Sequence, residues 1–412
     1  ARDRIPHHPV VSLPHSEGTD VLGPSLGSND PVLKSVGTPC RHAVVTLAAM
    51  RPSWIEVDLD AIEANVRAIR AAIAPAGVCA VVKADGYGHG DIAAAHAAMA
   101  GGATWLAVAL VAEGVRLREG GIDLPILVLS EPLEEEIDAL VEWSLTPTVY
   151  RSAFIEVVAE TAVREDSTPY PLHLKVDTGM HRVGADPRTA IELARRIHAD
   201  DRLDLQGIAT HLPVAEVDGE FTAGQVAAVN VFKDQLAEEG IDVDYVHVAN
   251  TAGALDHPDA RFDFARIGLG IYGLRPAPET GRNVELVPAM RVVSAVTFIQ
   301  RLPAGARPSY GRVRPLPRPS TVVTVPLGYA DGIPRRLSEL GGEVLIGGKR
   351  YPFAGTVTMD QVVIDVGDDL IEEGDEVVFI GRQGAEEVTA VSYTHLRAHE
   401  TGSGISYAVF CL

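Results

Sequence analysis

The sequence has few cysteines, no long apolar run and no basic start, and each shortage excludes a class of protein. Its three cysteines, Cys40, Cys79 and Cys411, are scattered without the close spacing of metal ligands, so we expect no metal site. No apolar run reaches the roughly 20 residues that cross a bilayer. No basic stretch precedes an apolar core, as it would in a secretory signal. These shortages indicate a cytoplasmic protein with no membrane partner.

Basic residues are outnumbered by acidic ones. The chain has 35 Lys and Arg against 56 Asp and Glu, which gives a formal net charge of −21. A chain this acidic disfavours contact with nucleic acid and offers no basic face to an anionic membrane. A hydrophobic content of 46% supports a substantial core, and a length of 412 residues suggests two or three domains.

The two ends of the chain differ from its middle. Residues 1–49 are rich in Pro, Gly, Ser and His, lack periodicity and precede the first methionine, Met50. We interpret them as a disordered or non-native leader, with a functional tail as the alternative. Residues 391–412 match what is expected when a common sequencing adapter is read in frame, so we expect a non-native tail there.

Between these ends, apolar runs alternate with helical patterns. Trp54–Leu59 alternates like a strand, and Asp60 is expected to cap the helix that follows. Eight further runs predict strands at 78–82, 105–108, 125–129, 146–149, 171–176, 206–210, 245–249 and 266–272. Strands that alternate with helices at this spacing predict parallel βαβ units. Their number indicates one (β/α)8 TIM barrel over residues 50–285, although the strand near 54–59 could join the next domain instead.

After residue 285 the helical periodicity fades. Short alternating runs follow at 291–298, 320–325, 343–346 and 376–380, separated by glycine turns. This pattern predicts a C-terminal all-β domain of Greek-key or barrel type over residues 286–390.

One barrel strand ends in a lysine and a glycine-rich loop. The run 78–82 is followed by Lys83-Ala84-Asp85-Gly86-Tyr87-Gly88-His89-Gly90. A lysine at the carboxyl end of such a strand faces the side on which these barrels carry their active sites. A desolvated amine there would be nucleophilic towards an aldehyde. The alternative is a lysine that simply reaches solvent from the end of a strand.

Polar side chains also lie on or just after other predicted barrel strands. They are Lys175, Arg182, His211, Asn250, Thr251 and Arg266. Each has an ordinary interpretation too, because a lone histidine is more often structural and an arginine at a strand start commonly forms a salt bridge. A hydroxyl beside backbone N–H groups at a helix start, as at Thr251, suits a phosphate.

These segments, with three more in the β domain, resemble the alanine racemase family in sequence and in order. The matching motifs lie at 80–90, 172–184, 209–211, 247–252, 266–274, 308–311, 325–332 and 357–360. The resemblance extends from Arg51 to about Ala390. It implies pyridoxal 5'-phosphate as the cofactor and the interconversion of L-alanine and D-alanine as the reaction.

The resemblance also implies a role for each barrel candidate. Lys83 holds the cofactor and acts as one of two catalytic bases. The phosphate is bound at Tyr87, Asn250, Thr251, Ile267 and Gly268. Arg182 donates to the phenolic oxygen and contacts the substrate, His211 packs against the ring, and Arg266 bonds the ring nitrogen. Lys175 stands where some members carry a carbamylated lysine.

In the β domain the resemblance implies the second half of the site. Tyr310 is the second catalytic base, and Met359, Asp360 and Tyr329 line a narrow substrate entrance that favours alanine. Tyr310 serves the barrel of a second copy, so the resemblance implies a homodimer with shared active sites. The product D-alanine would supply cell-wall peptidoglycan.

Three alternatives stay open at this point. A non-catalytic pyridoxal-phosphate-binding barrel would lack the β domain that carries Tyr310. A decarboxylase of the same barrel type would need a cysteine-bearing loop in the β domain, but no cysteine lies between Cys79 and Cys411. A racemase of another small amino acid would share every motif named above.

Overall fold

The computed structural model describes residues 42–46 and 51–390. Strand β1, His42–Thr46, pairs antiparallel with β2, Ser53–Asp58. Regular structure at 42–46 differs from the leader expected over residues 1–49, and the apolar sequence Ala43-Val44-Val45 is compatible with a strand. The remainder of that leader and the tail expected at 391–412 lie outside the described residues.

Eight parallel strands form a barrel, which confirms the predicted architecture. They are β3 Gly77–Val81, β4 Trp105–Val108, β5 Ile126–Val128, β6 Thr146–Val149, β7 Tyr170–Lys175, β8 Leu203–Ala209, β9 Tyr245–His247 and β10 Phe264–Ile267. Strand β10 pairs with β3. Backbone hydrogen bonds from Asp263 N–H to Val246 O (3.1 Å) and from Arg266 N–H to Ala249 O (2.9 Å) bridge β9 and β10. The carboxyl ends of all these strands therefore meet at one face.

Helices cover the outside of the barrel and connect its strands. Their bounds are Leu59–Ile73, Asp91–Gly101, Val111–Glu119, Ile137–Glu142, Ser152–Arg164, Pro187–His198, Gly219–Glu238 and Thr251–Asp256. Shorter 3-10 turns occupy Glu134–Glu136, Pro258–Ala260, Leu269–Tyr272, Tyr310–Arg312 and Tyr329–Asp331. No helix within the described ranges is long and apolar enough to cross a membrane.

Among the element boundaries that differ from the prediction, two bear on the residues discussed below. Asp58, not Asp60, caps the first helix, because β2 runs through Asp58 and its carboxylate then accepts the N–H of Ala61 at 3.0 Å. The strand that carries Arg266 begins at Phe264 and ends at Ile267, since the backbone of Gly268 turns away at φ −97° and ψ −92°. Arg266 therefore lies near the carboxyl end of its strand.

The interior of the barrel is filled with aromatic and imidazole rings. Trp105 stacks on Phe264 with ring centroids 5.5 Å apart, and His247 also stacks on Phe264, at 4.6 Å. Cys79 lies among them, and burial raises the pKa of its thiol to about 12, with a smaller opposing effect from Arg266. A lumen packed in this way leaves room for a ligand only at the rim.

The C-terminal part of the chain is an all-β domain, as predicted. Its strands are β11 Met290–Ala295, β12 Phe298–Leu302, β13 Ser320–Val325, β14 Glu343–Ile346, β15 Lys349–Pro352, β16 Val362–Gly367, β17 Glu376–Gln383 and β18 Glu386–Val388. One sheet has the order β1-β2-β11-β17-β14-β15 with β18 beside β17, and the other has the order β12-β13-β16. Strand β2 pairs antiparallel with β11, so the first segment of the barrel region completes a sheet of the β domain.

Candidate active site

A cavity of about 520 Å3 opens where the barrel strands end. Its lining brings together most of the predicted barrel residues, namely Lys83, Tyr87, Lys175, Arg182, His211, Asn250, Thr251, Arg266 and Gly268. Ile267 is completely buried behind this surface. Side chains separated by almost 200 residues in the chain thus converge, because each follows or ends a strand of one closed barrel.

The cavity is cationic although the protein is acidic. Lys83, Lys175, Arg182 and Arg266 line it, whereas Glu216 is the one acidic residue of its lining within the described residues. Thr148, which is 2% exposed, also lines it, and its hydroxyl has no hydrogen-bond partner among the described residues. A cluster of cations with an unused hydroxyl suits an anionic, oxygen-rich ligand.

Lys83 begins a left-handed turn at the end of β3. The backbone φ angles of Ala84, Asp85, Gly86 and Tyr87 are 53°, 55°, 62° and 55°. Left-handed backbone costs roughly 1–2 kcal/mol for each residue other than glycine, so this turn must be held by its surroundings. Lys83 and Tyr87 lie at its two ends and both face the cavity.

Tyr87 and Gly268 are in close contact. A Cβ atom at Gly268 would lie 2.6 Å from the hydroxyl oxygen of Tyr87, so only glycine fits there. The Tyr87 ring packs on Tyr272 at 5.1 Å, and Tyr272 donates a hydrogen bond to Val81 O at 3.1 Å. Burial raises the pKa of Tyr272 well above its usual value, so it stays a neutral support. This packing orients the Tyr87 hydroxyl.

Arg266 is held by acceptors at both of its terminal nitrogens. Its Nη1 donates to His247 Nδ1 (2.8 Å) and His247 O (2.7 Å). Its Nη2 donates to Thr210 O (2.7 Å), Val248 O (3.1 Å) and His211 Nδ1 (3.2 Å). Burial lowers the pKa of Arg266 to about 10, so the guanidinium is still charged at neutral pH. Among the described residues these five contacts involve only Nη1 and Nη2, and Arg266 lines the cavity.

The arginine also dictates the tautomers of two buried histidines. Because a guanidinium only donates, His247 Nδ1 accepts, and the proton of His247 sits on Nε2. This Nε2–H donates to His173 Nδ1 at 2.8 Å, and His173 Nε2–H then donates to Gln206 Oε1 at 3.3 Å. Burial, with a smaller effect of Arg266, lowers the pKa of His173 to about 4 and that of His247 well below its usual value. The row of hydrogen bonds therefore runs in one direction, from Arg266 to Gln206.

His211 and Lys175 are both shifted towards their neutral forms. Burial, then the charges of Arg266 and Lys175, lower the pKa of His211 to about 3. The imidazole is thus an uncharged hydrogen-bond acceptor for Arg266. Burial, then the charges of Arg266 and Arg182, lower the pKa of Lys175 to about 8.

Asn250 and Thr251 begin the helix Thr251–Asp256. The side chain of Asn250 accepts the N–H of Gly253 at 2.9 Å and donates to Leu212 O at 3.0 Å, so it caps the helix and ties it to the end of β8. The hydroxyl of Thr251 accepts the N–H of Gly270 at 3.3 Å. Both side chains are therefore positioned by backbone contacts while they line the cavity.

The four predicted residues of the β domain lie together, apart from the cavity of the same chain. Ser309 donates to Thr356 O, and Tyr329 N–H donates to Thr358 O at 2.9 Å, so the loops before Tyr310, Tyr329 and Met359 form one edge. Tyr310 is 69% exposed and Met359 is 53% exposed. Asp360 is exposed as well. None of the four lines the barrel cavity within the described part of the chain.

Sequence reasoning missed several residues that shape the site. Glu113 accepts the N–H of Ala84, and His247, His173 and Gln206 form the row of hydrogen bonds behind Arg266. His247 stood inside a matched motif without an assigned role. For Glu113, the pattern of a single sequence carries no signal, because the contact joins positions 29 residues apart.

Comparison with known proteins places this geometry in context. The family model "Alanine racemase, N-terminal domain" matches residues 57–276, and "Alanine racemase, C-terminal domain" matches residues 289–412. The alanine racemase of Symbiobacterium thermophilum is 41% identical over 367 residues, which are 89% of this chain and 96% of that protein. The crystal structure of alanine racemase from E. faecalis has a TM-score of 0.79 at 34% identity and covers 86% of this chain and 95% of that one.

A racemase named for a different amino acid is also similar in structure. The histidine racemase from Leuconostoc mesenteroides subsp. sake has a TM-score of 0.76 at 26% identity, and the match covers 85% of this chain and 93% of that one. The C-terminal family match includes residues 391–412, whose origin stays a prediction.

Proposed function

Because the chain belongs to the alanine racemase family and is an amino-acid racemase, we propose that it interconverts L-alanine and D-alanine with pyridoxal 5'-phosphate held in the barrel cavity. The observation that carries the proposal is the cationic cavity at the strand ends, where Lys83, Arg182 and Arg266 converge. The alanine racemases named above are 41% and 34% identical to this chain, against 26% for the histidine racemase, which favours alanine as the substrate.

The residues present fit this cofactor. Its phosphate would be held by Tyr87, Thr251 and the backbone at Ile267 and Gly268, where the missing Cβ lets the Tyr87 hydroxyl approach the backbone. Arg182 would meet the phenolic oxygen, and Lys83 would bind the aldehyde carbon. Arg266 would meet the ring nitrogen, and neutral His211 would lie against the ring. When bound, the cofactor supplies an electron sink that lowers the cost of removing the α-proton.

Racemisation requires two bases on opposite faces of the α-carbon. One base removes the proton, and the other returns a proton to the opposite face. We assign the first face to the amine of Lys83 and the second to the hydroxyl of Tyr310. Lys83 lines the cavity, whereas Tyr310 is 69% exposed on an edge of the β domain. This arrangement supports a homodimer in which Tyr310 serves the barrel of the second copy.

Arg266 controls the charge opposite the cofactor ring. It keeps its proton at neutral pH and lines the cavity, so its charge would disfavour protonation of a ring nitrogen bound beside it. An unprotonated ring would be a weaker electron sink, and transamination would be suppressed relative to racemisation. His247 stabilises this state by accepting from Nη1.

Lys175 has the properties that carbamylation requires. Only a neutral amine reacts with carbon dioxide, and a pKa of about 8 leaves a fraction of Lys175 neutral at pH 7. The resulting anion would pair with Arg182 and offer an acceptor to the unused hydroxyl of Thr148. We therefore propose a carbamylated Lys175 that orients Arg182.

The remaining parts of the proposal concern specificity and cellular role. Met359, Tyr329 and Asp360 would narrow the entrance and exclude bulky side chains. We also propose that the D-alanine formed in the cytoplasm is used for peptidoglycan synthesis.

The proposal is tested by measuring D-alanine formation from L-alanine with added pyridoxal phosphate. The racemisation rates of L-serine and L-histidine are measured in parallel. The assay uses this chain and one whose residues after Ala390 are replaced by a relative's C-terminal sequence. Borohydride should fix the cofactor to Lys83, and Lys83→Ala should abolish both the label and the activity. A label on Lys175 or Lys233 would overturn the assignment of Lys83. Faster turnover of L-histidine than of L-alanine would overturn the assignment of alanine as the substrate.

A further inference from the structure

The turn that carries Lys83 and Tyr87 has a backbone that cannot persist without support. Four consecutive residues, Ala84 to Tyr87, have φ between 53° and 62°, and three of them are not glycine. Residues held in this region persist only when neighbouring groups over-determine them. Since Lys83 precedes the turn and Tyr87 ends it, the turn decides where both side chains point.

One carboxylate outside the cavity holds the start of this turn. Glu113 Oε1 accepts the N–H of Ala84 at 2.6 Å. Its Oε2 accepts the N–H of Ala109 at 2.8 Å and that of Leu110 at 3.1 Å. Ala84 lies just past β3 and Ala109 just past β4, so Glu113 ties the ends of two neighbouring barrel strands. It does so from the helix Val111–Glu119, and its side chain does not line the cavity.

One guanidinium on the same helix holds the middle of the turn. Arg116 Nη2 donates to Asp85 Oδ1 at 2.9 Å, and Arg116 Nε donates to Asp91 Oδ2 at 2.7 Å. Asp85 Oδ1 also accepts the N–H of Asp91 at 3.2 Å. The left-handed turn is thereby fastened to the helix that follows it and to the helix Val111–Glu119.

We propose that Glu113 and Arg116 are positioning residues that hold the left-handed turn so that Lys83 and Tyr87 face the cavity together. Neither side chain lines the cavity. Their effect on the reaction passes through the backbone of residues 84–87. The consequence for catalysis rests on the proposed function, in which Lys83 and Tyr87 bind the cofactor, but the holding of the turn does not.

Hydrogen exchange of the cofactor-loaded protein tests the holding directly. In Glu113→Gln the amide keeps one acceptor oxygen, while its NH2 group must face an N–H donor of Ala84 or Ala109. Exchange of the amides within 83–90 should accelerate about tenfold or more, and exchange within β8 (203–209) should stay the same. The matched control is Glu119→Gln, which removes the same charge from an exposed position of the same helix and should leave both regions unchanged.

Cofactor release supplies a second measurement. Release of pyridoxal phosphate after dilution, followed by absorbance, should be about tenfold faster in Glu113→Gln than in Glu119→Gln. Glu113→Asp keeps both acceptor oxygens on a shorter stem and should fall between the two. If Lys83→Ala binds the cofactor normally, the proposed function fails, while the exchange result still tests the holding of the turn.

Two results would overturn the proposal. The first is unchanged exchange within 83–90 in folded Glu113→Gln protein. The second is an equal acceleration within 203–209, which would mean that the whole barrel has been destabilised. If Glu113→Gln does not fold, Arg116→Gln removes only the bonds to Asp85 and Asp91 and is subject to the same two criteria.

Discussion

Short contacts fix the positions of individual polar groups that line the cavity. Arg266 satisfies five acceptors at 2.7 to 3.2 Å, and the Tyr87 hydroxyl fills the space that a side chain at Gly268 would need. Groups held in this way cost little to reorganise when a ligand binds. The same tightness makes substitutions here affect function more than folding.

Gly268→Ala should therefore weaken cofactor binding in a folded protein. The backbone φ of −97° is accessible to alanine, but the new Cβ would lie 2.6 Å from the Tyr87 hydroxyl and displace it. We expect affinity for pyridoxal phosphate, measured by absorbance titration, to fall about tenfold or more, as for other overpacked sites. Gly224→Ala is the control, because nothing lies within 4 Å of its Cβ. Equal affinities of the two variants would contradict the proposed position of Tyr87.

His173 should make the protein sensitive to acid. Burial lowers its pKa from 6.5 to about 4, so below pH 6.5 the unfolded chain takes up a proton that the folded chain refuses. Stability is therefore lost as the pH falls from 6.5 towards 4, by about 2 kcal/mol at pH 5 from this residue alone. Denaturant unfolding at pH 7 and pH 5 should show a smaller loss in His173→Gln. An unchanged loss would mean that His173 is not held neutral.

At the scale of elements, β2 and the helix after it join the two domains. Strand β2 pairs with β11 of the β domain, and its last residue, Asp58, caps the helix Leu59–Ile73 of the barrel. Asn65 on that helix donates to Ile271 O at 3.1 Å and to Val287 O at 2.8 Å. The chain thus passes between domains without a flexible linker at this point.

Asp58→Ala should destabilise the protein by about 1 kcal/mol, the usual cost of losing an N-cap acceptor. The N–H of Ala61, which Asp58 accepts at 3.0 Å, would be left without that partner. Asp60→Ala, in the first turn of the same helix, should cost less, because the cap remains. The comparison is made by denaturant unfolding at neutral pH. A larger effect of Asp60→Ala would restore the boundary predicted from the sequence.

At the scale of the whole molecule, two features matter for function, namely the cationic cavity and the exposed edge of the β domain. The chain carries a net charge of −21, yet its cavity is lined by four cations, so the field favours an anion at the barrel mouth. The exposed edge of the β domain carries the large side chains of Tyr310, Tyr329 and Met359. Aromatic residues and methionine are enriched in protein interfaces. A homodimer would bring this edge over the cavity of the second copy.

Mixing two inactive variants tests the shared site. Lys83→Ala and Tyr310→Ala should each be nearly inactive. In a heterodimer one site carries both defects and the other carries neither, so random exchange should restore about a quarter of all sites. Activity should not return if the dimers are cross-linked before mixing. Heterodimers that are seen by mass measurement but stay inactive would show that Tyr310 does not serve the neighbouring Lys83.

Local patterns in the sequence determined the types of element and their order. Short runs within the alternation of strands and helices predicted β4 and β6 at their observed bounds, and a short alternating run predicted β13. All residues of β4 and β6 are buried because helices cover the outside of a parallel barrel. The motifs at strand ends identified the residues that line the cavity, because parallel strands of one barrel present their carboxyl ends on one face.

Only the tertiary structure decided how those residues are held. His173 meets His247 across 74 positions, and Glu113 meets Ala84 across 29, because these side chains become neighbours when the barrel closes. The cap at Asp58 likewise depends on β2 pairing with β11, which lies more than 230 residues further along the chain. A hydrogen bond depends on distances of a few tenths of an ångström and on angles. Such geometry is a property of packed elements, and no local period in the sequence encodes it.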